Sequence, residues 1–203
     1  MENTRAIILD IETTDLLANM LDFSSFPYKL KPEAKLWCVV LRDAYTDEVI
    51  AEEKKKITKE WLQDNLKGCT HLIGHNVLKF DFLVLKLFGV LDYTVGYLDE
   101  EDTVFGQPVK LIDTLILSRL LNPDRFGGHS LHEWGERTGT NKIDFRYTCI
   151  KNGYITKDAP KGAEFKQYVP EMLTYCIGDT DTNKQAFFAL LQEMGDYRGW
   201  QQA

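Results

Sequence analysis

Apolar residues fall in continuous runs early in this chain and in spaced patterns later, which predicts strands first and helices afterwards. Ile7-Ile8-Leu9 reads as the end of a buried central strand, since a strand covered on both faces appears as a near-continuous apolar run. Leu36 to Leu41 predicts a second strand. Tyr45 to Glu48 turns it toward a shorter partner at Val49 and Ile50, an antiparallel hairpin. Thr58 is an expected N-cap for a helix through Leu66, ended by Gly68. Thr70 to Gly74 predicts another strand with His75-Asn76 as its turn, followed by a helix over Lys79 to Phe88 closed by Gly89.

Later helices are expected from Asp113 through Leu121, from Ser130 through Glu136 or Arg137, and from about Val169 to Met194. Asn122-Pro123 stops the first of these, Gly127-Gly128 makes a joint, and Ser130 with Glu133 has capping-box spacing. Asp15 to Lys35, which holds Pro27 and Pro32, reads as a loop or irregular excursion, and Ile150 to Lys166 also reads as irregular. Asp99 to Asp102 reads as an acidic loop without assigned chemistry. The pattern predicts a mixed sheet flanked by helices, in a single α/β domain over residues 1–203.

Composition narrows the classes. The 203 residues suffice for one domain with a sizeable core. No apolar run approaches the roughly 18 residues of a membrane span, and no signal-peptide pattern precedes the first strand, so no membrane association is expected. Cys38, Cys69, Cys149 and Cys176 are scattered, which points away from a zinc site or disulfide framework and toward a cytoplasmic setting with reduced thiols. The net charge of -7 argues against binding nucleic acid through overall electrostatics, yet leaves room for local binding. Lys142 to Lys166 carries six basic residues against three acids, either a basic loop on an acidic body or a solvated loop with ordinary lysines.

Candidate chemistry begins at Asp10-Ile11-Glu12. Side chains two apart on a strand leave from the same face, so the two carboxylates project together and repel unless a cation joins them. Alone the triplet says little, since about one is expected by chance in a chain this long. Asp81 comes after a buried strand and its turn, where ligand sites of α/β folds gather; a helix-start carboxylate is the ordinary alternative. Tyr175 and Asp179 lie four apart on one face of the last helix, and a half-buried tyrosine with a solvent-facing acid is the alternative there. Gly178 beside them weakens the helix by about 1 kcal/mol relative to alanine, and is expected to let another segment approach closely.

Taken in order, Asp10-x-Glu12, Asp81 after His75-Asn76, and Tyr175-x-x-x-Asp179 resemble the three motifs of the DEDD (DnaQ-like) 3′–5′ exonuclease superfamily, tyrosine subtype. The stretches Leu111 to Leu120 and Gly128 to Gly135 are similar to proofreading domains of bacteriophage family A DNA polymerases, and the resemblance runs from Ala6 to about Leu191. Thr174 stands where the histidine subtype has its histidine, which disfavours that subtype. The excursion Asp15 to Lys35 is longer than the equivalent turn in those phage proteins.

The resemblance implies a ribonuclease H-like α/β fold and phosphodiester hydrolysis from a 3′ end to nucleoside 5′-monophosphates, with two Mg²⁺ or Mn²⁺ ions about 4 Å apart. It implies that Asp10 bridges both ions, Glu12 and Asp179 complete the site of the water-activating ion, Asp81 supports the second, and Tyr175 orients or deprotonates the water. Thr13 is the expected contact to the terminal 3′ hydroxyl, Leu16 or Leu17 a wedge against the last base, and Asn76 and Lys79 contacts to the strand. Core or loop packing is the alternative for each of these. His129 is expected to be structural. No polymerase domain is present through Ala203, so the implied protein is a stand-alone proofreading module acting on single-stranded DNA or frayed 3′ ends beside a separately encoded DNA polymerase. A 3′–5′ RNA exonuclease and a nucleic-acid-binding or polymerase-docking module of the same fold are the competing expectations.

Overall fold

The computed structural model describes residues 4–195 apart from 25, 98–99 and 141–142. The first residue of the expected acidic loop, Asp99, and of the basic segment, Lys142, therefore lie outside the described residues. Strand β1 (Ala6–Thr13) is succeeded by a short helix α1 (Leu17–Met20), the two-residue strands β2 (Leu21–Asp22) and β3 (Lys29–Leu30), then β4 (Leu36–Asp43) and β5 (Val49–Glu53). Helix α2 (Lys59–Asn65), strand β6 (His71–Gly74) and helix α3 (Asp81–Leu87) come next. A small sheet of β7 (Tyr93–Thr94), β8 (Thr103–Val104) and β9 (Gln107–Pro108) precedes β10 (Lys110–Asp113). Helices α4 (Thr114–Leu121), α5 (Leu131–Thr138), α6 (Phe145–Lys151) and α7 (Pro170–Glu193) complete the chain.

The main sheet has the order β10-β6-β1-β4-β5. β1 pairs in parallel with β6 and antiparallel with β4, β10 joins β6 in parallel, and β5 closes the other edge antiparallel to β4. Its central strand has two covered faces, and alternation along it sorts them. Ile7, Leu9 and Ile11 join Leu62, Leu66, Phe82 and Leu85 of α2 and α3 in the largest core cluster. Ala6 and Ile8 meet Phe187 and Leu191 of α7 on the opposite face. On the neighbouring strand Cys38 and Val40 pack against Met172 and Cys176 of the same helix. The strand pairs Asp10↔Val40 and Glu12↔Cys38 put both acids in the row that α7 covers.

Helix α7 is tied down by polar anchors as well as apolar ones. The buried Arg42 guanidinium donates to the Thr180 hydroxyl at 3.2 Å and the Ile177 carbonyl at 3.3 Å, and pairs with Asp47 at 2.6 Å. Lys184 meets the same Asp47 carboxylate at 2.9 Å. Farther along, Thr114 donates to Asn183 at 2.7 Å and approaches the Gly74 carbonyl and the His75 ring, so α4, α7 and the end of β6 share one buried network.

The caps expected at Thr58 and Ser130 accept from Trp61 and Glu133 backbone N–H groups. His129 is structural as expected, holding Ser118 at 2.9 Å and the Pro123 carbonyl at 3.2 Å. Three expectations change. The helix expected from Asp113 is preceded without a break by strand β10, whose Leu111 and Ile112 merge in sequence with the apolar residues of α4. Helix α6 forms between the expected segments, capped by Asp144, which accepts from the Tyr147 N–H at 2.8 Å. The excursion after β1, expected as loop or irregular, holds α1, β2 and β3; Thr14 N–H donates to the Lys35 carbonyl at its base, and Met20 and Ala34 are buried in the main core.

Candidate active site

At the end of β1 the strand's alternation presents Asp10 and Glu12 side by side, both half-buried. α7 lies over them and contributes Cys176, whose thiol donates to Asp10 Oδ2 at 3.1 Å. Asp10, Glu12 and Cys176 offer ligand atoms that all lie within 4.8 Å of one another. Burial and the neighbouring Cys38 and Asp10 push the Cys176 thiol well above its ordinary value, so it is a protonated donor and a poor thiolate ligand. The carboxylate oxygens are the atoms of this group suited to hold a cation.

Asp81 enters from the other side. It is the first residue of α3 and only 5% exposed. Burial, then the Asp10 carboxylate, raise its pKa well above the usual carboxylate range, Asp113 adds to the rise, and the Asp81 and Ile11 backbone groups oppose it. Asp81 therefore lies within electrostatic reach of Asp10, although 71 positions separate their numbers. Asp113 fixes the turn that delivers it. Its carboxylate accepts from the N–H groups of Asn76 at 2.9 Å and Leu78 at 3.2 Å while capping α4 through Leu115 and Ile116. Asn76 takes the left-handed conformation in that turn (φ 63°). Gly74 is needed one step earlier, where a Cβ would stand 2.5 Å from Val77 and 3.2 Å from the Leu9 carbonyl.

Tyr175 and Asp179 come from one face of α7, and Asp179 is 6% exposed. Burial, then Asp179, Glu12 and Asp10, push the Tyr175 hydroxyl far up, which places the phenol among those three carboxylates. Its ring stacks on Phe145 at 5.2 Å and tilts against Phe165 at 6.4 Å. Asp10, Glu12, Asp81, Tyr175 and Asp179 thus meet at one end of the central strand. Carboxylates this close and this dry repel one another, and a divalent cation among them would reverse the sign of the local field. Hard oxygen donors suit Mg²⁺ or Mn²⁺.

A cleft of about 440 Å³ opens beside Glu12, with Thr13, Leu16, Phe80, Lys161 and Phe165 among its lining residues. Leu16 is 69% exposed on its wall, whereas Leu17 begins α1 and packs against the main core. Thr13 is buried, its hydroxyl donating to the Asp15 carbonyl at 2.8 Å. Lys79 is exposed, and Asn76 is held in the turn below; Phe80, between Lys79 and Asp81, is the residue of that segment that lines the cleft. The far wall is the 159–165 loop, stitched by Arg146 of α6. Its guanidinium meets Glu164 at 2.8 Å and the carbonyls of Ala159 and Pro160. Lys166 reaches across to Asp15 and closes one side. The cleft wall therefore consumes the charge of Arg146 and Lys166 from the basic segment in internal pairs. Cys176, Phe145, Phe165 and Arg146 were not among the expected site residues, since nothing in their own sequence surroundings marks a role that arises from tertiary contact.

Gly178 differs from expectation. A Cβ there would meet Ile143 Cδ1 at 3.7 Å, an ordinary contact, so among the described residues no segment crosses closely.

No protein-family model matches this chain. No curated protein matches it either. Among solved structures, it is similar to the family B DNA polymerase from the hyperthermophilic archaeon Pyrobaculum calidifontis, with a TM-score of 0.56 at 16% identity. The match covers 93% of this chain and 25% of that one, so the chain spans about a quarter of the polymerase's length. No helix among the described residues is long and apolar enough to cross a membrane. At such low identity the likeness is one of fold, and that fold is the ribonuclease H-like mixed sheet with helices on both faces.

Proposed function

We propose that this chain is a metal-dependent 3′–5′ exonuclease of the DEDD superfamily, tyrosine subtype, releasing nucleoside 5′-monophosphates from the 3′ end of DNA. The observation that carries the reading is the convergence of Asp10, Glu12, Asp81, Tyr175 and Asp179 at one end of β1. Five residues from three distant segments gather there, four of them carboxylates, and the fold has no other evident use for that much buried like charge.

In this reading Asp10, Glu12 and Asp179 would hold one divalent cation, and Asp81 would help to hold a second. Bound cations would supply Lewis-acid stabilisation of the phosphoryl oxygens and a more acidic water. The chain's own residues do the positioning. Tyr175, clamped by Phe145 and Phe165, presents its hydroxyl to the attacking water beside Glu12. Thr13 and Leu16, with Phe80, line the wall against which the last nucleotide rests. A strand end that enters alone fits this cleft better than a paired one, so frayed or single-stranded ends are the substrate. The polymerase likeness and the proofreading resemblance suggest that the chain works with a DNA polymerase.

The test is incubation with 5′-labelled single-stranded DNA and RNA, with Mg²⁺, Mn²⁺ or EDTA, beside an Asp10→Ala variant. Metal-dependent shortening from the 3′ end, reduced at least a hundredfold in the variant, is expected. A product that starts at the 5′ end, or full activity in EDTA, would overturn the reading, and faster cleavage of RNA would reassign the substrate.

A further inference from the structure

β5 ends beside the carboxylates, and a turn of three lysines comes directly after it. Because β4 and β1 run antiparallel, and β5 antiparallel to β4, the C-terminal ends of β1 and β5 lie at the same end of the sheet. The pairs Glu12↔Cys38 and Cys38↔Glu53 put Glu53 two strands from Glu12 in one row, about 10 Å across the sheet. Lys54–Lys56 then forms a 3-10 turn with all three residues exposed.

The turn borders a groove of about 770 Å³ that Lys35 also lines, above a floor that includes Leu36, Trp37 and Phe88. Among the described lining residues, four lysines stand against one carboxylate, Glu53. On a chain of net charge -7 such a cluster is a local reversal of sign. It is also held in place. Lys54 takes a left-handed conformation (φ 53°), uncommon for a residue with a side chain, and its ammonium sits 3.7 Å over the Tyr168 ring. The groove neighbours the cleft: the indole of Trp37, a groove residue, donates to the carbonyl of Phe165, a cleft residue, at 2.9 Å. On the other side, Lys35 is joined to Thr14, next to cleft residue Thr13.

We propose that this groove is a phosphodiester-backbone site that carries the strand upstream of its 3′ end. The proposal rests on the exonuclease reading for what lies in the cleft. Lysines at 35, 54, 55 and 56 contact successive phosphates without regard to sequence, and the apolar floor accepts bases. Substrates long enough to reach the groove bind more tightly than ones that fill the cleft alone.

The test compares the wild type with a Lys54→Ser/Lys55→Ser/Lys56→Ser variant and a matching triple Lys→Arg variant, whose folding is checked by thermal denaturation. Binding of a fluorescent single-stranded 16-mer of thymidylate is measured in EDTA across a KCl series. The serine variant is expected to bind at least tenfold more weakly at low salt. Its log–log salt slope should flatten by about 2, since each lost phosphate contact removes about 0.7. The arginine variant should keep wild-type affinity and slope. Hydrolysis of the p-nitrophenyl ester of thymidine 5′-monophosphate with Mn²⁺, which is too short to reach the groove, should stay within twofold in both variants. An unchanged slope in the serine variant overturns the proposal, as does an arginine variant that behaves like it. If the wild type hydrolyses neither ester nor oligonucleotide, the exonuclease reading fails, and the salt slopes still decide whether the groove binds a strand.

Discussion

Asp81 is a buried acid whose named electrostatic neighbours, Asp10 and Asp113, are themselves acids. Its folded pKa is raised, so in the metal-free protein its protonated form is favoured by folding. That contribution is complete below the ordinary carboxylate value near 4 and is lost as pH rises through the raised value. Asp81→Asn removes the loss. The variant is expected to melt higher than the metal-free wild type at pH 7.5 by about 1–3 kcal/mol, or about 2–4 °C per kcal/mol for a chain of this size. The gap should close as pH falls toward 4, while exonuclease activity disappears. Melting curves across pH, in EDTA, check the sign; a variant less stable than wild type at pH 7.5 would refute this assignment. The same residue shows what the sequence disclosed. Asp10, Glu12, Asp81, Tyr175 and Asp179 could be singled out because order and spacing relate them. Arg146 and Phe145 could not, because their partners Glu164 and Tyr175 lie 18 and 30 numbers away with no pattern linking them.

Among the elements, the long ones were readable and the short ones were not. β1, β4 and α7 carry enough apolar residues to state their own period. β7, β8 and β9 have two residues each, too few for any period, and β10 runs straight into α4 so that one apolar stretch serves both. Two glycines separate propensity from packing. Gly178 lies inside α7 and, among the described residues, only Ile143 is within reach of an added Cβ, so Gly178→Ala should stabilise the helix by about 1 kcal/mol and leave the fold unchanged. Gly74→Ala has a backbone that tolerates alanine but drives Val77, fully buried, out of place. A loss of about 1–3 kcal/mol is expected, and because Val77 lies in the turn leading to Asp81, metal-dependent activity should fall with it. Denaturant titration of both variants separates the two effects; equal losses would show that α7 is crowded after all.

For the whole molecule, the mixed sheet flanked by helices could be anticipated from the order of strands and helices, but not its strand order, because the edge strand β10 carries no signal separate from α4. What local pattern could not state is which face of the sheet α7 covers, since that is decided by long-range contacts such as Cys176 to Asp10, 166 positions apart. That separation has a consequence in time. Asp10 and Glu12 are made long before Tyr175 and Asp179, which join them only when α7 has left the ribosome and docked. In refolding experiments, activity should return no earlier than the fluorescence of Trp134, which packs with Ala186 and Leu190 of α7, in a variant keeping that tryptophan alone. Recovery that precedes it would mean that the helix is dispensable. Until α7 docks, a chain in synthesis would thus hold Asp10, Glu12 and Asp81 without the tyrosine and the acid that complete the cluster.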